Sequence, residues 1–231
     1  MNGAAPQIRK ILMTKKLAAT ILLLAAVPVW PWAAQAQNVP SGPDFTAAPL
    51  AMLPSGGPAK GARYVIDPTH TFVNYEIGHY GTTTNRGRFS TSDGTVQIDE
   101  TGTTGKIDVT MDMSSINTGV DLLNRHVQSK DFFNVAAYPT ARFRADKIAF
   151  AGDKVTEIGG TLTLLGQTRP VVLKASRFNC YLNPMFKRQV CGGDFETTVE
   201  RSQWGIVWGL NFGFEDKVRL LVQVEAINLP P

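Results

Sequence analysis

Hydrophobic and polar residues alternate with a period of two along most of the chain after about residue 63. The clearest stretches, with mostly polar residues between, are Val73-Tyr75-Ile77-His79, Ile107-Val109-Met111, Phe195-Thr197-Val199 and Val218-Leu220-Val222-Val224. Because successive side chains of a strand point to opposite faces, this alternation predicts β-strands with one apolar and one polar face. Stretches typical of turns, including Ser92-Asp93-Gly94, Thr101-Gly102 and Gly152-Asp153, separate the predicted strands.

One segment, residues 114–139, departs from this alternation. Apolar residues recur there at helical spacing between Leu122 and Val127, and Pro139 closes the segment. We therefore expect a short helical insertion between an early and a late group of strands. A smaller break in the alternation occurs at Ser202-Gln203-Trp204.

The predicted strands number about eight and belong to one all-β domain, residues 63–229. Strands with one apolar face are buried either by packing two sheets as a sandwich or by closing one sheet into a barrel. The alternation alone is compatible with both. The preceding residues 37–62 contain five Pro and four Gly without periodicity, which predicts a flexible leader.

The N-terminal segment, residues 1–36, has the order of features of a secretory signal peptide. Four basic residues precede an apolar run at Leu17–Val29, and Ala34-Gln35-Ala36 offers a cleavage site before Gln37. The run has 13 residues, which is short for a membrane span and disfavours the alternative of an uncleaved anchor. We therefore predict export to the periplasm and a mature chain that is soluble after signal cleavage.

The net charge of the whole chain comes from this signal segment. The sequence has 23 Lys and Arg against 19 Asp and Glu, and four of the basic residues lie in residues 1–36. The predicted mature chain is therefore formally neutral, and nucleic acid is not an expected partner.

The two cysteines, Cys180 and Cys191, flank the turn signal Asn183-Pro184. In an oxidising compartment this arrangement predicts a disulfide across a hairpin. The alternative is a metal site completed by histidine, which is disfavoured because every histidine precedes residue 127.

The three histidines, His70, His79 and His126, permit three interpretations. Three imidazoles suit zinc, but His70 and His79 are nine residues apart and would point to opposite faces of one regular strand. Hydrogen bonding within the fold is the simplest interpretation, and contact with the head group of a ligand is the third. We predict no metal, no cofactor and no catalytic residue, since the sequence lacks a Gly-x-Ser-x-Gly elbow and a glycine-rich loop that opens a helix after a strand.

Four motifs resemble those of the YceI-like, polyisoprenoid-binding family of exported bacterial proteins. They are Tyr64–Thr71 with Gly87-Arg88-Phe89, Ser114–Phe143 with Asn124-Arg125-His126 and Asp131-Phe132-Phe133, Gly160–Val171, and Phe195–Gly205 with Arg201-Ser202-Gln203-Trp204-Gly205. Together they span nearly all of residues 63–229. The chain departs from the family pattern at Thr71, Gln203, Trp204 and in its cysteine pair, which leaves the identity of the ligand open.

The resemblance implies a lipocalin-like antiparallel barrel whose cavity takes the isoprenoid tail of a lipid, a periplasmic location and no cofactor. The predicted tail contacts are the apolar-face and aromatic residues Val73, Tyr75, Ile77, His79, Ile107, Val109, Met111, Phe132, Phe133, Phe143, Leu162, Leu164, Trp204, Phe212 and Val222. The predicted head-group contacts are Arg125, His126 and Arg201, with Lys130 as a further candidate.

The function expected from these features is the carriage or storage of a long-chain isoprenoid lipid of the quinone or polyprenyl phosphate type, without enzyme activity. An alternative is an enzyme or enzyme-accessory protein that acts on a quinone-like substrate in a stress response. A structural or adhesive domain is a weaker third. Transient membrane contact and a homodimer are both compatible with the sequence.

Overall fold

The computed structural model describes residues 56–90, 92–185 and 187–230. The predicted signal peptide and most of the predicted leader lie outside these residues. The described chain forms one antiparallel sheet of eleven strands: Arg63–Ile66 (β1), Phe72–His79 (β2), Thr83–Phe89 (β3), Ser92–Ile98 (β4), Gly105–Asp112 (β5), Ile116–Asn117 (β6), Thr140–Ala151 (β7), Lys154–Leu164 (β8), Gln167–Asn183 (β9), Arg188–Glu200 (β10) and Lys217–Asn228 (β11). Helical turns are the α-helix Asp121–Gln128 (α1) and the 3₁₀ helices Met113–Ser115, Arg201–Trp204 and Leu210–Phe212.

Eight of these strands close into a ring in the order β1-β4-β5-β7-β8-β9-β10-β11. The short strand β1 completes the ring because it pairs with β4 on one side and with β11 on the other, with Tyr64 opposite both Val96 and Asn228. This closure confirms the predicted eight-strand barrel with a short helical insertion and decides between barrel and sandwich.

Three further strands extend the sheet from β11. Strand β2 pairs with β11 from Val218 to Gln223, β3 pairs with β2, and β6 pairs with β3. Strand β11 therefore has β2 as its neighbour over its first half and β1 over its second half.

The two ends of the barrel differ in their connections. The connections that follow β4, β7 and β9 join strand pairs at one end, which we call the hairpin end. Helix α1, the 3₁₀ helices and the connection from β10 to β11 lie at the other, which we call the helix end. In the described residues no helix is long and apolar enough to cross a membrane.

The helical insertion is shorter than the segment that broke the alternation. Helix α1 has eight residues, begins after Val120, which makes no side-chain cap, and ends at Gln128 with Ser129 as its C-cap. Residues 130–133 form hydrogen-bonded turns, and Asn134 has a positive φ of 42°. A positive φ ends a helical course, so the chain from Lys130 to Val135 forms turns rather than a further helix.

The Ser92-Asp93-Gly94 stretch is strand rather than turn. All three residues lie in β4, and Gly94 pairs with Val109 of β5. A side chain on Gly94 would lie 2.4 Å from the backbone oxygen of Asp108. The glycine therefore permits close approach of two strands, which is a second common use of glycine beside turns.

The cysteine pair forms the predicted disulfide, which is thereby confirmed. Cys180 and Cys191 face each other directly across β9 and β10. Residues 56–62, the last part of the predicted leader, lie against this end of the barrel: Gly56 pairs with Cys180, and the side chain of Gln189 donates to the carbonyl oxygen of Gly57.

Candidate ligand-binding cavity

The apolar faces of the strands enclose a cavity at the hairpin end of the barrel. Its volume is about 190 Å³, and its wall is aliphatic and aromatic apart from the hydroxyls of Tyr64, Thr71 and Ser92. Alternation explains this composition, because Val171 and Leu173 point inward while Val172 between them is 43% exposed. Pro58, from the segment that precedes β1, forms part of the wall.

A second cavity of about 430 Å³ lies at the helix end. Strands supply one side of its wall, and α1 with the β10–β11 connection supplies the other through Leu123, Val127, Trp204 and Trp208. The residues that line both cavities are Val73, Met111, Ala141, Leu162 and Leu220.

These shared walls place the two cavities end to end along the barrel. Strand β11 borders both, from Val218 at the helix end to Ala226 at the hairpin end. Eight residues of strand rise about 26 Å. The helix-end volume alone lies in the range of about 300–1,000 Å³ typical of ligand pockets. The shape suits a long, narrow, apolar molecule.

Fourteen of the fifteen predicted tail contacts line these cavities. The predicted residues that line only the hairpin-end cavity are Ile107, Val109, Phe143 and Val222. The predicted residues that line only the helix-end cavity are Tyr75, Ile77, His79, Phe132, Phe133, Leu164 and Trp204. The predicted residues that line both cavities are Val73, Met111 and Leu162. Phe212 lies in neither wall and is 63% exposed. It sits in a 3₁₀ helix between the left-handed glycines Gly209 and Gly213, and that turn directs it to the surface.

Several wall residues escaped the sequence prediction. Leu220 and Val224 carry the same alternation on β11 as Val222 and could have been included from that pattern. Trp208 and Phe214 lie in the irregular β10–β11 connection, where no periodicity indicates which side chains point inward.

A continuous band of rings borders the helix-end cavity. We call it the aromatic band; it consists of Tyr80, His79, Phe214, Trp208, His126 and Phe132. The ring centroids of His79 and Phe214, and of His126 and Trp208, are each 4.8 Å apart with their planes nearly perpendicular. Edge-to-face contacts of this kind stabilise ring pairs beyond the burial of their area. The band brings two of the three histidines to one cavity.

Arg201 holds the β10–β11 connection in place. Its side chain is 5% exposed and donates to three backbone oxygens: Nε to Glu215 at 2.9 Å, and Nη1 to Ile206 at 3.1 Å and to Trp208 at 2.9 Å. Burial lowers the pKa of the guanidinium below its ordinary value, and the negative charge of Asp216 opposes this shift. An arginine nevertheless stays charged in a protein.

One nitrogen of the Arg201 guanidinium makes none of these hydrogen bonds. Nη2 is buried and has no hydrogen-bond partner in the described part of the chain, and Arg201 borders the helix-end cavity. Ser92 Oγ, in the wall of the hairpin-end cavity, is the other buried side-chain atom without a partner among the described residues. Buried polar atoms without partners are uncommon in folded proteins, and these two belong to residues that line the two cavities.

The residues that follow Arg201 complete the wall. The amide and hydroxyl of Ser202 both donate to the carboxylate of Asp216, at 2.8 and 2.6 Å. Trp204 is 1% exposed, and its indole nitrogen donates to the carbonyl oxygen of Leu162 at 3.2 Å. Gly205 then takes a left-handed φ of 84°, which ends the 3₁₀ helix.

The other predicted head-group residues occupy different places. His126 lies in the helix-end wall, with Nε2 3.2 Å from an oxygen of Asp131. Arg125 and Lys130 are exposed and lie in neither wall. Tyr75, which strand alternation predicted for the apolar face, lies in the helix-end wall with its polar hydroxyl. Desolvation by burial raises the pKa of this hydroxyl to about 12, so it remains neutral.

His70 belongs to a separate hydrogen-bonded cluster between β1 and β2. Its Nδ1 lies 2.8 Å from Asp67 Oδ2, while Asp67 Oδ1 accepts from the amide and hydroxyl of Thr69. Among the described residues, Asp67, His70 and Glu225 offer potential metal-ligating atoms within 4.8 Å of one another. Both oxygens of Asp67 already have donors, so hydrogen bonding accounts for this grouping.

The closed antiparallel barrel and its two adjoining apolar cavities define a lipocalin-like barrel whose interior is wide enough for a slender molecule. The chain belongs to the YceI-like domain family, whose sequence profile matches residues 64–226.

Two relatives agree with this assignment. A protein named YceI from Salmonella arizonae is 33% identical over 187 residues, which cover 80% of this chain and 95% of that protein. A UPF0312 protein from Pseudomonas savastanoi pv. phaseolicola is 39% identical over 127 residues, 54% of this chain and 66% of that protein.

Two solved structures share the fold. BcnA from Burkholderia cenocepacia superposes with a TM-score of 0.57 at 23% identity, covering 69% of this chain and 98% of BcnA. A domain from Saccharophagus degradans described as polyisoprenoid-binding superposes with a TM-score of 0.53 at 17% identity, covering 71% of this chain and 97% of that domain.

Proposed function

We propose that this protein binds a long-chain isoprenoid lipid, with the tail extended through both cavities of the barrel. The observation that carries the proposal is the pair of adjoining apolar cavities along about 26 Å of β11. Membership of the YceI-like family and the polyisoprenoid-binding description of the Saccharophagus degradans domain support it. Each buried methylene contributes about 0.8 kcal/mol, so a long tail binds tightly with few polar contacts.

The distribution of polar atoms orients the ligand. The hairpin-end wall offers only three side-chain hydroxyls, of which Tyr64 and Thr71 are hydrogen-bonded within the fold. The helix-end wall contains Asn85, His79, His126 and the buried guanidinium of Arg201. The tail therefore points toward the hairpin end and the head group lies at the helix end.

Arg201 Nη2 is the donor best placed to receive the head group. A quinone carbonyl or a phosphate oxygen would satisfy this nitrogen, and hydrogen bonds that involve a charged donor are the stronger kind. The aromatic band offers edges and faces that suit a planar ring such as that of a quinone. For a phosphate, the exposed Arg125 and Lys130 on and after α1 would be additional partners.

We place this binding function in the periplasm, where the protein carries or stores the lipid after export. The motivation is the predicted signal peptide together with the disulfide, since disulfides persist in oxidising compartments. Carriage requires transient contact with a membrane, and a homodimer is compatible with this function. Binding rather than catalysis is proposed, because His126 already contacts Asp131, Phe132 and Trp208 as part of the fold.

Extraction of the protein purified from its native host, followed by mass spectrometry, tests the proposal. We expect an isoprenoid lipid in near-stoichiometric amount. The variant Leu220→Gln, which places an amide in both walls, should lose this lipid. Its neighbour Leu221, which lies in neither wall, provides the control Leu221→Gln, which should keep it. Recovery of no lipid from the wild type, or equal loss from both variants, would contradict the proposal.

The alternative function, enzymatic action on a quinone-like substrate, rests on the presence of His79 and His126 in one cavity. Incubation of the lipid-free protein with a long-chain quinone and its quinol, followed by chromatography of the products, separates the two functions. We expect unchanged ligand. Conversion that is lost in His126→Gln but retained in Arg125→Gln would establish the alternative.

A further inference from the structure

We propose that the helix end of the barrel docks on a lipid bilayer through five exposed apolar side chains. We call them the apolar rim; they are Tyr80, Val120, Leu122, Val207 and Phe212, and all lie outside the cavity walls. The inference rests on the proposed function, and it adds the surface by which the lipid enters and leaves.

The exposure of the rim residues is large for apolar side chains. Leu122 is 71% exposed and Phe212 63%, and the other three lie between 50% and 58%. They come from three separate segments: the β2–β3 turn, the start of α1 and the β10–β11 connection. All three segments lie at the helix end, and several exposed apolar groups at one end of a protein mark an interaction site more often than single ones do.

The rim is continuous with the cavity wall. The ring of Tyr80 lies 4.8 Å from those of His79 and Phe214, both of which line the helix-end cavity. Leu122 stands four residues before His126 and so lies on the same face of α1. Apolar surface therefore extends from the interior to the outside, and a lipid tail moving along it stays away from water.

Local structure does not explain why apolar side chains occupy these exposed positions. Val120 occupies the N-cap of α1, a position where valine is among the poorest residues, and Leu122 follows in the first turn. Phe212 is held at the surface by a turn with left-handed glycines on either side. A bilayer gives these apolar groups a partner that the described fold does not.

Two further features favour a bilayer at this end. The opposite end is covered in part by residues 56–62, with Pro58 in the wall of the hairpin-end cavity. On and just after α1, Arg125 and Lys130 are exposed, and neither forms an ion pair with a described residue. Long basic side chains of this kind extend toward lipid phosphates while their stems lie against apolar surface.

The test is flotation of the mature protein with vesicles of phosphatidylcholine containing phosphatidylglycerol. The variant Leu122→Glu/Phe212→Glu should reduce the vesicle-bound fraction at least tenfold. The control is Leu182→Glu/Met185→Glu, which changes two exposed apolar residues at the hairpin end, 52% and 84% exposed, and should bind like the wild type. Thermal melting of each variant establishes that it is folded. If the double variant is unfolded, the single variant Leu122→Glu replaces it in the flotation assay.

A second measurement reports the contact directly. Vesicles with brominated acyl chains should quench the fluorescence of Trp208, which lies next to rim residue Val207, and the rim variant should abolish this quenching. Equal vesicle binding by both double variants would overturn the proposal. So would a rim variant that changes only the oligomeric mass, since the rim would then join two copies of the chain.

Loading of lipid-free protein with farnesol in the absence of vesicles separates this inference from the proposed function. Normal loading of the rim variant without vesicle binding supports docking through the rim. Normal loading of a rim variant that still binds vesicles removes the docking inference alone, whereas failure of the wild type to load removes the proposed function.

Discussion

The substitution Ala141→Phe tests whether one tail occupies both cavities. Ala141 is 1% exposed, lies on β7 and lines both cavities where they adjoin. A phenyl ring there would fill the passage, so a tail entering at the helix end could no longer reach the hairpin-end cavity.

The size of the effect follows from the excluded volume. A cavity of about 190 Å³ holds roughly six methylene-sized groups, if each takes about 30 Å³ as a water molecule does in the liquid. At about 0.8 kcal/mol for each methylene, the exclusion costs about 5 kcal/mol. The Kd for a long isoprenoid should therefore rise by between about three and four orders of magnitude, while a short one that fits the helix-end cavity should lose little.

The assay is titration of lipid-free protein with farnesol and with the much longer solanesol, followed through the fluorescence of Trp204 and Trp208. Thr140→Phe, which adds the same ring to an exposed position beside Ala141, is the matched control. Overpacking costs about 1–3 kcal/mol of folding stability, so the melting temperature is measured first. Equal weakening of both ligands, or undiminished binding of solanesol, would refute a tail that spans the two cavities.

Three other predictions concern stability. Reduction of the disulfide between β9 and β10 should lower the free energy of unfolding by about 2–4 kcal/mol, measured by urea denaturation with and without reductant. Arg201→Met should lower the free energy of unfolding by about 3–5 kcal/mol, because three carbonyl oxygens lose their donor. The melting temperature should fall by roughly 10 °C. The control Arg125→Met, at an exposed position, should change neither quantity noticeably. The hydrogen bond that His70 Nδ1 donates to the carboxylate of Asp67 raises the pKa of His70 above 6.5, so this pair stabilises the fold fully below pH 6.5 and loses that contribution as pH rises through the raised pKa. Because His70 is largely exposed, the change should stay below about 1 kcal/mol and should vanish in His70→Gln, as urea denaturation at pH 6 and pH 9 would show.

Strand alternation anticipated much of the cavity wall, because it depends only on neighbouring residues. Val73, Tyr75 and Ile77 share one face of β2, and all three line a cavity. The same argument fails in the β10–β11 connection, where Trp208 points into the wall and Phe212 points to solvent. There the directions are set by left-handed glycines and by the hydrogen bonds of Arg201, which no periodic pattern encodes.

Glycine shows a second limit of prediction from local sequence. Ser92-Asp93-Gly94 resembles a turn in isolation, yet Gly94 lies in a strand because pairing with Val109 requires close approach. Tertiary pairing overrode the local preference, as it commonly does where one residue serves more than one structural purpose.

By itself the sequence determined the all-β class, the apolar faces of the strands, the helical interruption and the cysteine pair, since each follows from local spacing. Only the tertiary structure decided that the sheet closes, because closure depends on β1 pairing with both β4 and β11, whose partner residues are far apart in the chain. It also decided that His79 and His126 meet in one band of rings while His70 lies elsewhere. The physical reason is that periodicity fixes which way a side chain points, whereas the empty volume inside a barrel depends on how distant strands pack around it.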